Sequence, residues 1–273
     1  MSSVSKVTLN RVLATDFIKS YVEQAGASGV ILGISGGIDS AVCLGLAVEA
    51  LEPYQVSGLW MPYGDKNKSY VELLKKKYCG VSISTKPIDA IVDSVTAISQ
   101  LPDNLKKGNI MSRVRMMLLY DFARAHNLLV ITTSNQSEIM TGYFTKWGDG
   151  AGDLAPLADL YKHEVVEIAK QLSIPNEIIQ RPPSAELWEG QTDEEELGIS
   201  YDDLDDILQT LEKVAKDEFV LDRFASQVHL MTKHGVDKID HVMKMIQVSF
   251  HKRQRIPNPT EWFKTSKRVG DNS

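Results

Sequence analysis

Val30-Ile31-Leu32-Gly33-Ile34-Ser35-Gly36-Gly37-Ile38-Asp39-Ser40, running on into Ala41-Val42-Cys43-Leu44-Gly45-Leu46-Ala47, decides the fold. Residues 30–34 are a short apolar run, and residues 41–47 have helix-forming composition. Between them a Gly-Gly turn leads from a buried strand into a helix N-terminus. Such a junction is an anion site, because glycines let backbone N–H groups approach phosphate oxygens and the helix dipole favours negative charge there. Ser35 and Ser40 add hydroxyl donors, and Asp39 places a carboxylate where a magnesium ion can bridge to phosphates. A lone Gly-Gly pair would read as an ordinary capped turn. The residue order at this junction favours phosphate binding instead.

Outward from this junction the chain alternates. Leu9, Val12, Leu13, Phe17 and Val22 recur at helical spacing over residues 8–25. Three further apolar runs, residues 55–60, 81–84 and 128–132, read as buried strands. Helical patterns at residues 40–50, 69–78, 88–99 and 110–126 separate them. Short strands alternating with helices predict an α/β fold, a parallel sheet covered on both faces, and right-handed crossovers make it doubly wound. In a strand order of 3-2-1-4-5, strands 1 and 4 adjoin at a switch point, and ligands bind at the C-terminal ends of strands there. A run of helices over residues 201–250 completes the chain, followed by a basic, proline-rich tail at residues 252–259.

The 273 residues carry a formal net charge of −6, which argues against a general nucleic-acid binder. Anionic substrates then need a local basic pocket. Cys43 and Cys79 are the only cysteines, with no disulfide framework or thiolate metal site, and a reducing cytoplasm fits. Lys6, Arg11 and Asp16 interrupt any signal-peptide pattern, and no stretch approaches membrane-spanning length. A single domain spanning residues 1–273 is expected.

Two loops stand out. Residues 141–155 hold four glycines with aromatics and charges between them, suited to a lid over a nucleotide or to surface decoration. Residues 180–200 include Pro182-Pro183 and an acidic run at residues 193–196, most simply a solvated face or a helix N-terminus. Before the first loop, Thr132-Thr133-Ser134-Asn135-Gln136-Ser137-Glu138 sits where strand 4 ends and a helix begins. Thr133 is placed to cap the helix or donate to a phosphate or ribose. Glu138 falls in the first helical turn, one strand away from Asp39. Two carboxylates with phosphate oxygens and water suit magnesium.

The motif at residues 35–40 matches neither Gly-x-x-x-x-Gly-Lys-Ser/Thr nor Gly-x-Gly-x-x-Gly. It resembles the pyrophosphate-binding loop of the ATP pyrophosphatases. Six further blocks make the resemblance specific: Arg113-Val114-Arg115-Met116, Ser134-Asn135-Gln136-Ser137-Glu138, the loop Gly142 to Asp153, Asp153-Leu154-Ala155-Pro156-Leu157-Ala158-Asp159-Leu160-Tyr161-Lys162, Pro183-Ser184-Ala185-Glu186-Leu187-Trp188 and Gly190-Gln191-Thr192-Asp193-Glu194. With His251-Lys252-Arg253 in the tail, the chain resembles the ammonia-dependent NAD synthetases from about residue 8 to residue 259.

That resemblance implies a five-stranded, adenine nucleotide alpha-hydrolase-like sheet and an ATP-dependent amidation of deamido-NAD to NAD through an acyl-adenylate, releasing AMP and pyrophosphate. It implies that Gly33, Ile34, Ser35, Gly36, Gly37, Ile38, Asp39, Ser40, Thr133, Lys162 and Ser184 bind ATP, with Asp39 and Glu138 on magnesium. Asp39, Glu138 and Lys162 would be the catalytic set. Arg113, Lys146, Asp153, His251 and Lys252 would bind deamido-NAD, the last two from the partner subunit of a homodimer. In that homodimer the apolar helix at residues 110–126 is expected to pack against its copy. Gln136 stands where the family often has Lys, removing a cation from near the site, and Ser184 where it often has Thr.

Arg113 and Arg115, two residues apart on a helix, point to nearly opposite faces, so Arg115 is expected in a structural ion pair or a subunit contact. His126 and His163 are given no catalytic role. An amidase domain needs roughly 50 residues or more, and 34 precede Ser35, so the expected nitrogen source is ammonia, free or supplied by another protein. Thiolating relatives rely on reactive cysteines and a basic surface, which this chain lacks. A non-catalytic nucleotide-binding module would need the loop but not Glu138, Lys146, Asp153 and Lys162 together.

Overall fold

The computed structural model describes residues 5–64, 67–99, 103–184, 190–216, 228, 230–254, 256, 258 and 259. Residues 185–188 of the motif quoted above lie outside the described residues. Helix α1 (Lys6–Ala25) starts where Ser5 accepts from Thr8 N and ends at left-handed Gly26. It packs Ala14, Ile18 and Val22 inward. Strand β1 (Gly29–Gly33) is followed by α2 (Ile38–Ala50), whose buried residues run from Ile38 through Ala47 apart from Asp39. Then come β2 (Val56–Trp60), α3 (Lys68–Lys77), β3 (Ser82–Thr85), α4 (Asp89–Ser99), α5 (Asn104–His126) and β4 (Leu128–Ile131).

All strand pairings are parallel, in the order β3-β2-β1-β4. The period of two along β1 sorts its side chains. Val30, Leu32 and Ile34 pack with α1, α2 and α7 (Lys162–Gln171), while Ile31 packs with Met111, Val114 and Ala123 of α5. The apolar stripe of α5 is thus largely a core face of its own chain. This helix begins before residue 110, capped by Asp103 on Leu105 N at 2.9 Å. Lys106-Lys107-Gly108 had masked its first turns from the apolar period.

The expected fifth strand is absent among the described residues, which contain a four-stranded sheet. Its place is taken by one parallel bridge, Ile131 with Leu154, flanked by Asp153 N donating to Val130 O at 2.8 Å. Pro156 has no N–H to extend the ladder, and the chain turns there with Ala158 N donating to Ala155 O.

Beyond the sheet, α6 (Gln136–Thr141), α8 (Asn176–Ile179), α9 (Asp193–Leu197), α10 (Tyr201–Lys216), α11 (Val236–Val248) and α12 (Phe250–Arg253) follow in chain order. Leu197, Leu204, Ile207, Leu208, Leu230 and Val242 form a third core against Tyr161. The acidic run at residues 193–196 therefore opens a helix capped by Thr192, and its first member, Asp193, is buried.

Residues 233–238 are tied to α10 by charge. His234 bridges Asp206 at 2.6 Å and Asp203 at 3.3 Å, while Lys233 and Lys238 reach the same two carboxylates. The hydrogen bond from His234 holds Asp206 below the ordinary aspartate range, and Lys238 does the same for Asp203. A depressed folded-state value stabilises the protein above the unfolded value and is lost as pH falls through the folded one. Asp206→Asn should therefore lower the melting temperature by about 1–3 °C near neutral pH. The difference should close as pH falls below the ordinary aspartate value of ~3.9, which thermal melts across a pH series will check.

Candidate active site

The loop after β1 is closed by its own serines. Gly36 has φ +81°, a left-handed value that glycine tolerates. Gly37 N donates to Ser35 Oγ at 3.1 Å, Ser40 Oγ donates to Gly37 O at 3.0 Å, and the two hydroxyls lie 3.1 Å apart. No side chain caps α2, so the N–H groups of its first turn remain available to an anion. From outside, Asn67 Nδ2 donates to Ser35 O at 2.8 Å. Arg181 donates to Asn67 Oδ1 at 2.8 Å and lies over the Tyr70 ring.

Asp39, in the first turn of α2, faces Glu138, in the first turn of α6. Asn135 joins them: its Nδ2 donates to Asp39 Oδ1 at 3.0 Å and its Oδ1 caps Glu138 N at 3.0 Å. Glu138 Oε2 in turn accepts from Asn135 N, completing a capping box. The buried Lys162 ammonium sits 2.6 Å from Asp39 and 3.7 Å from Glu138, above the Tyr201 ring. Burial and the Asp39 charge push the Glu138 carboxyl well up, and Lys162 pulls it back. Burial alone would lower Lys162, but Asp39 and Glu138 outweigh it and raise its pKa.

Asp205 of α10 holds these pieces in register. It accepts from Ser137 Oγ at 2.5 Å and from His163 N at 3.0 Å, while Ser137 Oγ accepts from Lys162 N at 3.1 Å. One buried carboxylate thus fixes the N-termini of α6 and α7, which carry Glu138 and Lys162. His163 bonds the same carboxylate and stacks on Tyr161.

A cavity of about 450 Å³ opens over the C-terminal ends of the strands. Every residue named for ATP lines it except Gly36, and Glu138 does as well. The dinucleotide set divides. Lys252 lines the cavity of its own chain, donating to Gly142 O at 2.7 Å and Phe144 O at 2.8 Å, where a partner subunit had been expected to supply it. Gly142, at φ +71°, makes this approach possible, since a Cβ there would stand 2.1 Å from Ser249 Cβ. Arg113, Lys146 and His251 are strung together outside the cavity lining: Arg113 donates to Lys146 O and Lys146 Nζ to His251 O. Asp153 is exposed and bonded to Val130 N at the end of the sheet.

Arg115 and Arg113 do point apart, and it is Arg115, expected in a structural ion pair or a subunit contact, that faces the cavity. Arg115 lines the cavity and makes no ion pair among the described residues. Gln136 does not line the cavity and donates to Glu212 at 2.7 Å.

Tyr143, Asp193 and Glu196, given no site role from the sequence, also line the cavity, and Tyr201 is bonded to Asp193. The Tyr143 hydroxyl lies 3.0 Å from Asp193 and 2.5 Å from Glu196, sharing its one proton between them, and Tyr201 donates to Asp193 at 3.4 Å. Burial and neighbouring carboxylates push both phenols up, keeping them protonated as donors. Their one sequence signal is Tyr143 in the glycine loop; that of Asp193 was a charge run that reads as surface.

Two hard carboxylates beside a phosphate-type loop suit magnesium, which takes one or two protein carboxylates and completes its shell with phosphates and water. No cluster of three or more potential metal ligands occurs among the described residues.

The sequence profile of the NAD synthase family matches residues 11–256. The chain is 47% identical over 246 residues to the NH3-dependent NAD(+) synthetase of Thermococcus kodakarensis, covering 89% of this chain and 93% of that protein. It is 43% identical over 251 residues to that of Methanocaldococcus jannaschii, with 90% and 94% covered. Among solved structures it is similar to the NH3-dependent NAD synthetase of Campylobacter jejuni, with TM-score 0.77, 28% identity, and 93% and 99% coverage. It is also similar to NMN synthetase from Francisella tularensis, with TM-score 0.79, 31% identity, and 94% and 99% coverage.

The ammonium between Asp39 and Glu138 has a measurable consequence. Lys162→Met leaves two apposed carboxylates with no cation and should destabilise the nucleotide-free protein by about 3 kcal/mol. Urea unfolding will check this, and an unchanged midpoint would show that the ammonium does not hold the pair.

Proposed function

The chain belongs to the NAD synthase family, and on that footing we propose that it is an ammonia-dependent ligase converting deamido-NAD to NAD at the expense of ATP. The observation that carries this reading is the convergence of the residue 35–40 loop, Asp39, Glu138 and Lys162 on one cavity. The nicotinate carboxylate attacks the α-phosphorus of ATP, and the bond to pyrophosphate breaks. Ammonia then attacks the acyl carbon and AMP leaves, giving the amide.

Adenylyl transfer of this kind needs charge neutralisation and alignment more than covalent catalysis. The N–H groups of residues 35–40 and the α2 N-terminus grip phosphate oxygens. Thr133 and Ser184 add hydroxyls, and Lys162 neutralises the departing pyrophosphate. Magnesium, held by Asp39 and Glu138, would supply further positive charge at the phosphates. Arg113, Lys146, Asp153, His251 and Lys252 take the dinucleotide, Lys252 from inside the cavity and the others from its outer side. A homodimer is part of this proposal, supported by apolar side chains left exposed on α1 (Leu13, Phe17) and α5 (Met117). No helix among the described residues is long and apolar enough to cross a membrane.

Incubating the purified protein with deamido-NAD, ATP, magnesium and ammonium should yield NAD and pyrophosphate in equal amounts; no such pair would overturn the reading. Nicotinate mononucleotide, offered in place of deamido-NAD, separates this reading from the mononucleotide reaction that the Francisella relative's name suggests. Glutamine should not replace ammonium. Asp39→Ala and Glu138→Ala should each lower turnover by about 100-fold or more without unfolding the protein. Near-native rates in either would remove these two residues from the machinery. Sedimentation should give the mass of two chains.

A further inference from the structure

We infer that Arg115 is an anion-binding residue of the cavity, receiving a phosphate or carboxylate oxygen of the bound nucleotides on its two terminal nitrogens. The inference rests on the proposed function for the identity of those nucleotides and on the following geometry for the rest. Arg115 lies on the inner face of α5 and lines the cavity beside Met61. Its Nε donates to Met61 O at 3.1 Å, which fixes the plane of the guanidinium. Among the described residues its terminal nitrogens donate to no protein atom, although a guanidinium carries five N–H donors.

A cation so placed is costly to the free protein. Burial lowers the pKa of Arg115, and the opposing influence comes from Asp149, which lies beyond ion-pair distance. Asp149 is itself engaged, accepting from Ser112 Oγ at 2.5 Å and Thr145 N at 3.0 Å. Other buried charges have opposite partners, Lys162 in Asp39 and Glu164 in Lys6. Arg115 has none among the described residues. Lys252 shares its situation, bonded to backbone carbonyls, lowered by burial and influenced by the same Asp149. The two cations therefore bring positive charge to the cavity beyond that of Lys162, which is taken up by Asp39 and Glu138. A planar fork already oriented by one carbonyl, with two donors open to a cavity, matches the geometry of a phosphate or carboxylate.

The test is Arg115→Met, read by calorimetric binding of ATP alone and of deamido-NAD alone, without ammonium, together with the melting temperature of the nucleotide-free protein. At least one dissociation constant should rise about 10- to 100-fold, and the nucleotide affected identifies the source of the anion. The free variant should melt at the same temperature as the parent or higher, because an unmatched buried cation has been removed. Unchanged affinity for both nucleotides, or a lower melting temperature, overturns the inference, the latter marking Arg115 as a structural support for Met61. Turnover by the parent protein tests the proposed function separately, since the affinity ratio is read without reaction.

Discussion

The ammonium of Lys162, held between Asp39 and Glu138, is the interaction on which the site depends. Two carboxylates at neighbouring helix N-termini would repel, and burial sharpens the repulsion. A cation on a third helix N-terminus offsets it. The remaining polar contacts keep those three helices aligned: Asn135 couples α2 to α6, and Asp205 couples α6 to α7. The helical lobe behind α10 is therefore part of the site's support, because Asp205 and Tyr201 both come from it.

This arrangement gathers carboxylates in the cavity, where they can accept a metal brought by phosphates. The same cavity carries Arg115 and Lys252, held on carbonyl oxygens and influenced by Asp149. Polyanionic substrates meet local positive charge inside a chain whose net charge is −6. The global field thus says little about what the cavity binds, and local composition says a good deal.

The strand, loop and helix at residues 30–47 were legible in the sequence, because they combine a buried apolar run, a Gly-Gly turn and a helical period. So was the adjacency of Asp39 and Glu138, which follows from parallel β1 and β4 side by side. The fifth strand was not legible as a single bridge, since periodicity does not weigh the missing N–H of Pro156. The burial of Asp193 was hidden for a related reason. A run of acids reads as solvated until a distant tyrosine, here Tyr143 or Tyr201, is brought against it by the fold. Arg115 shows the same limit: helical spacing separates it from Arg113 but does not say which of the two faces the cavity.

The carboxylate pair also has a geometric guarantee. Asp39 and Glu138 follow strands that are hydrogen-bonded neighbours, Leu32 opposite Ile131, and adjacent strands lie about 4.8 Å apart. The sheet thus acts as a ruler for the activating half of the chemistry, one that insertions in the surrounding loops do not recalibrate. The segment from Gly142 onward and the terminal helix bearing Lys252 lie off that ruler. Their position is set instead by the end of α6, through Lys252 on Gly142 O and Arg253 on Met140 O, so their placement passes through the helix that carries Glu138.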